Sequence, residues 1–125
     1  MVMRLIDPEQ PIRWIHPEEM DSDNPTVFHL LPITEGVWRK IRALSPTRVD
    51  TGGAIIDEDG IRQEMFLRQV VAIENVTWPD GKNVAKIEGR DAVAKFYDHM
   101  EPRYAEAIYI AIQNTGKLKE GEVKN

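Results

Sequence analysis

The sequence predicts a single α+β domain of three or four short helices with one or two small β-hairpin or strand units. Three observations carry this. Apolar residues recur at helical spacing in separate stretches, short β-branched and aromatic runs stand beside prolines, and an Asp-Gly pair joins two of those runs. At 125 residues there is room for one domain with a loose segment at either end. The expected division is an irregular, Pro-rich acidic arm over 1–24, an α+β domain over 25–116 and a charged flexible tail over 117–125.

In the arm, Pro8, Pro11 and Pro17 each push the preceding residue toward extended geometry, and Glu18–Asp23 is an acidic run. Ile12, Trp14 and Ile15 are large apolar groups between those prolines. Two readings stay open for them: an arm pinned through Trp14, or a flexible tail whose tryptophan covers the core edge. Residues 26–31, between Pro25 and Pro32, read as a short strand. Thr34 then suits the N-cap of a helix to about Leu44, with Val37, Ile41 and Leu44 on one face and Trp38 widening it. Ser45-Pro46 ends that helix.

Residues 47–60, with Gly52-Gly53 and Asp57-Glu58-Asp59-Gly60, read as loop and turn. The stretch 61–76 fits helix or strand. Glu64 and Arg68 make a helical i, i+4 pair, while Met65, Leu67, Val71 and Ile73 also suit a strand. The reading adopted is helix to about Ala72, then extended chain into Trp78. Asp80-Gly81 is a type I′ turn signal linking that chain to a strand over 84–87. Asp91 is the expected cap of a helix whose face is Val93, Phe96, Tyr97 and Met100. Pro102 suits the first turn of the last helix, and Gly116 suits its end.

Composition narrows the function classes. The chain has no cysteine, which removes thiol nucleophiles, redox motifs and thiolate metal sites. Its 16 basic residues are scattered and outnumbered by 21 acidic ones, for a net charge of −5. Nucleic acid is therefore not an expected partner, since phosphate binding gathers Lys and Arg into a patch. No apolar run approaches the roughly 20 residues of a membrane helix. The N-terminal apolar stretch breaks at Asp7-Pro8, too early for a secretory signal, so a cytoplasmic protein without membrane partners is expected.

No catalytic, cofactor or metal site is expected. His16, His29 and His99 are far apart and lack metal-ligand spacing. Setting Gly60 at position six of a calcium loop would put Ile55 at position one and Phe66 at position twelve, and the frame fails. GxSxG, P-loop and GxGxxG motifs are absent, and nothing singles out a carboxylate pair, so no enzyme is read. The feature that asks for a partner is the last helix. In Tyr104–Ile112 every residue but Glu106 is apolar or aromatic, so this helix is either a central rod of the core or docks on another chain.

Three stretches resemble the small tail assembly chaperones of long-tailed bacteriophages and prophages. They are Phe28–Thr34, an "F-x-L-x-P-L-T"-like opening; Val71–Val76 followed by Asp80-Gly81; and the ending Leu118, Glu120, Glu122, Lys124-Asn125. The resemblance implies a bacterial-host cytoplasmic protein that coats a long helical tape-measure client during tail morphogenesis. It also implies helix-in-groove recognition with adaptable Met65 and Met100, and an acidic surface meeting a basic client. The candidate partner-binding residues are then Tyr104, Ile108, Tyr109 and Ile112, with Trp38. This reading expects weak self-association and a gain of stability with client. The alternative is a structural virion component, a head–tail connector or tail-completion subunit, forming a homo-oligomeric ring with the last helix between copies.

Overall fold

The structure, a computed structural model, describes residues 3, 5–44, 47–50, 53–56 and 58–115. The chain runs β1 (Ile12–Ile15), β2 (Val27–Leu30), α1 (Glu35–Leu44), β3 (Thr47–Asp50), β4 (Gly53–Ile56), α2 (Glu58–Gln69), β5 (Val70–Thr77), β6 (Asn83–Glu88), α3 (Arg90–Asp98) and α4 (Pro102–Gln113). A short 3-10 turn spans Pro17–Glu19. The α+β class holds, with four α-helices and a four-stranded antiparallel sheet among the described residues. Strand order is β1-β2-β5-β6, and β3-β4 form a separate hairpin.

Alternation in the strands makes one sheet face apolar. Trp14, Phe28, Ile73 and Ile87 lie opposite one another across all four strands, and the last three are buried. The neighbouring row is Arg13, His29, Ala72 and Glu88, on the opposite face. Helices cover the apolar face: α2 and α3 pack on β5, while α1 and α4 pack on α2. Phe66 of α2 lies 4.9 Å from Tyr97 and stacks parallel to Phe96 at 6.4 Å, so aromatic contact joins α2 to α3. Each fully buried side chain here, such as Leu30, Ile41, Phe66 or Ile112, stabilises by about 1.5–3 kcal/mol.

Two irregularities in β5 let residues three apart share that core. The β2–β5 register shifts between His29 and Leu30, so Val70 and Ile73 are both buried. Farther along, Asn75 adopts φ 60°, and among the described residues it is the non-glycine with positive φ. Asparagine tolerates this conformation better than other L residues. It is held on both sides: Asn75 Nδ2 donates to Pro25 O at 3.1 Å, and Thr26 Oγ1 donates to Asn75 O at 2.8 Å. Beyond it Val76 is buried again, and the strand delivers Trp78 to the same side.

Two buried polar side chains fasten the segment that enters α1. Gln69 Nε2 donates to Leu31 O (3.0 Å) and Pro32 O (3.2 Å), and Leu31 N–H donates to Gln69 O at 2.7 Å. Thr115, fully buried, accepts from Ile33 N–H at 3.0 Å and donates to Ile112 O at 2.9 Å. Thr34 caps α1 as expected, its Oγ1 accepting from Val37 N–H at 3.2 Å.

Several expectations are corrected. The arm is not irregular throughout, because Ile12–Ile15 pairs with β2 as an edge strand. Residues 47–60 are not all loop: 47–50 and 53–56 form a hairpin, and Glu58, Asp59 and Gly60 open α2. That helix ends at Gln69, three residues before the expected Ala72. Glu64 pairs with Arg90 at 3.1 Å, tying α2 to the start of α3. The β5–β6 turn is not type I′. Gly81 N–H donates to Trp78 O, Trp78 N–H donates to Lys82 O, and Gly81 alone in the loop has positive φ, 90°. Pro79 at the first corner sets a negative φ, which yields the three-residue loop with a following left-handed glycine. Asp91 does not cap α3, whose N-cap is Gly89 with φ 91°. The readings on Ser45-Pro46, Gly116 and 117–125 lie outside the described residues.

Candidate functional site

The last helix resolves into a packed side and an outward one. Ala105, Ile108, Ala111 and Ile112 are buried, Glu106 and Ile110 are exposed, and Tyr104 and Tyr109 are half-buried. Of the five residues singled out for partner binding, Ile112 is a full core residue and Ile108 is 1% exposed at the floor of a groove. Tyr104 stands on the wall of that groove. Trp38 and Tyr109 instead border a second depression together with Arg42, Glu58 and Arg62. The structure therefore divides the five between two places.

The groove holds about 370 Å³ and is open to solvent. Its walls come from four parts of the chain, and each is placed by features already described. β1 and the chain after it supply Trp14 and His16; β2 supplies Phe28; the turn after β5 supplies Trp78. α3, the short link after it and the start of α4 supply Phe96, His99, Met100 and Tyr104. Neighbouring rings touch in an unbroken arc. Tyr104 meets His16 at 5.1 Å, His16 meets Trp14 at 5.9 Å, and Trp14 meets Phe28 at 5.8 Å. Phe28 meets Phe96 at 5.8 Å, Phe96 meets Trp78 at 6.3 Å, and Trp78 meets His99 at 5.8 Å. Most of these contacts are edge-to-face, the arrangement favoured by ring quadrupoles, so the wall is a defined surface.

The polar groups around the groove are fixed locally. His16 Nδ1 accepts from Glu18 N–H at 3.0 Å, which leaves Nε2 as the protonated nitrogen of the neutral ring. His99 Nδ1 lies 2.9 Å from Lys95 O and so carries its proton there. Glu19 and Glu101 also line the groove. Arg103 lies 3.6 Å from Glu18 and 3.5 Å from Glu101, which links the 3-10 turn to the start of α4. The arrangement offers ring faces, a flexible thioether at Met100 and acidic groups at the rim, which is a surface for binding.

His29 is elsewhere, on the other sheet face, where its Nε2 is 2.6 Å from Glu74 Oε2. That hydrogen bond is the main reason the Glu74 carboxyl titrates below the ordinary 4.5; desolvation opposes it, and the charges of His29, Arg13 and Lys86 add smaller lowering effects. Among the described residues no three His, Asp or Glu side chains gather to hold a metal, and no helix is long and apolar enough to cross a membrane.

Sequence reasoning found Tyr104 and Ile108 but missed Trp14, Trp78, His16 and Phe28 as partners in one site. The available signal was compositional: two of the three tryptophans stand next to prolines or turns, outside any helical face. Comparison of the chain with protein-family models, with curated proteins and with solved structures finds no match.

Proposed function

We propose that this protein is an assembly chaperone of the small phage-tail type, holding a helical segment of a long client at the aromatic groove. The observation that carries the reading is the groove itself, an unbroken arc of rings left open to water with Met100 at its side. Exposed aromatic surface at a concave site costs solubility and marks a place where another molecule sits. The groove's lining carries two carboxylates, Glu19 and Glu101, and among the described residues no lysine or arginine. A basic client is attracted by that field. Met100 and the half-buried rings suit a client whose contacts change along its length.

The test is co-expression with a long helical tape-measure-type protein, followed by pull-down and light scattering. The expected result is a client that stays soluble only with this chain, and that precipitates when Tyr104→Asp is substituted in a variant that remains folded. Tyr104 suits this because its hydroxyl meets only Arg103 and its ring is half-exposed. A chain that forms a discrete ring alone and ignores the client is a virion component instead, and the chaperone reading then fails.

A further inference from the structure

We infer that the groove recognises the client through a basic side chain, an arginine or lysine inserted as a cation among the rings. This rests on the reading of the groove as the client site and specifies what that site selects. The groove, about 370 Å³ and open to solvent, has room for a long side chain from a helix lying across its mouth.

The lining then decides which side chain. An aliphatic anchor needs only apolar walls, but these walls are ring faces and edges with carboxylates among them. Glu19 is half-buried, lines the groove, and has no ion-pair partner among the described residues. An incoming cation gives that carboxylate an ion-pair partner through a charge-assisted hydrogen bond. Glu101 also lines the groove and pairs with Arg103 at 3.5 Å. The rings already attract the chain's own cations at the two ends of the arc. Arg103 Cζ lies 4.4 Å from the centre of the Tyr104 ring, and Lys95 Nζ lies 5.1 Å from that of Trp78. Among the described residues no cation lies over Trp14, in the middle of the arc. Aromatic rings and the Glu19 carboxylate in one lining together suit an organic cation.

The experiment uses the full chain and a helical Ala/Leu-rich peptide of about 20 residues, long enough to hold some helix, with one central arginine. A second peptide carries neutral citrulline there, of nearly the same shape. Binding is read from Trp14 and Trp78 fluorescence and from calorimetry. The expected result is tighter binding of the arginine peptide by about two- to thirtyfold, the range of a cation–π contact from exposed to desolvated. Glu19→Gln is expected to erase most of the preference for arginine over citrulline. Equal binding of the two peptides overturns the cation inference and leaves the groove as a client site. Failure of both peptides to bind overturns the groove reading and the inference with it.

Discussion

Asn75 is the residue whose replacement tests the architecture most sharply, because its left-handed backbone is what returns Val76 and Trp78 to the core side. Asn75→Ala removes the donor to Pro25 O, a part-buried hydrogen bond contributing about 1 kcal/mol. It also places an alanine at φ 60°, which costs about 1–2 kcal/mol. The expected loss is about 2–3 kcal/mol. Asn75→Gly loses the same donor but not the conformation, and pays only glycine's extra unfolded-state freedom, so about 1.5 kcal/mol is expected. Asn75→Val, β-branched at a left-handed position, is expected to be the least stable of the three. Urea unfolding followed by tryptophan fluorescence gives the order, with an unchanged denaturant slope as evidence that only the native state is affected. Alanine equal to or better than glycine would show that the backbone at 75 is not left-handed. The account of how Trp78 reaches the groove would then be wrong.

Other substitutions probe separate parts of the account. Ile108→Ser opens the floor of the groove into the core and is expected to cost at least about 3 kcal/mol, whereas Ile110→Ser on the exposed side of α4 should stay within about 0.5 kcal/mol. Similar values for the two would mean α4 is not oriented as described. Thr115→Val keeps the shape but leaves Ile33 N–H without its acceptor, and thermal or urea unfolding should register a loss of about 1–3 kcal/mol. His29→Leu should move the Glu74 titration, followed by carboxyl NMR, upward toward 4.5, because the largest lowering cause is lost. Because Glu74 is lowered in the folded state, its contribution is present above the unfolded value and is lost as pH falls through the folded pKa. That acid-side loss should shrink in the variant, and an unmoved titration would refute the pairing.

Local chemistry made part of this fold legible. Thr34 announces α1, Pro102 announces α4, and the spacing of Val93, Phe96 and Tyr97 announces the inner face of α3, although the helix stops short of Met100; each depends on residues within a few positions. What was not legible depends on partners far along the chain. Four residues of β1 become a strand only because β2 lies beside them, and their composition between prolines looks like an arm. The pairing of 47–50 with 53–56 hides in a stretch whose Gly52-Gly53 pair reads equally as loop. The turn at 78–82 was misread because Asp80-Gly81 drew attention from Pro79, which determines where the corner falls. The site suffered in the same way. Its tryptophans, histidines and tyrosine come from segments up to 90 residues apart (Trp14 to Tyr104), and no spacing in the sequence joins them.

The most direct test of the groove as the client site uses the chain's three tryptophans, because the structure puts two of them in it and one outside. A basic helical client peptide is titrated into the isotope-labelled protein while the three indole N–H signals are followed by NMR. The account predicts that Trp14 and Trp78 shift together along one binding curve while Trp38 stays in place. A curve carried by Trp38 alone, or none at all, would contradict it.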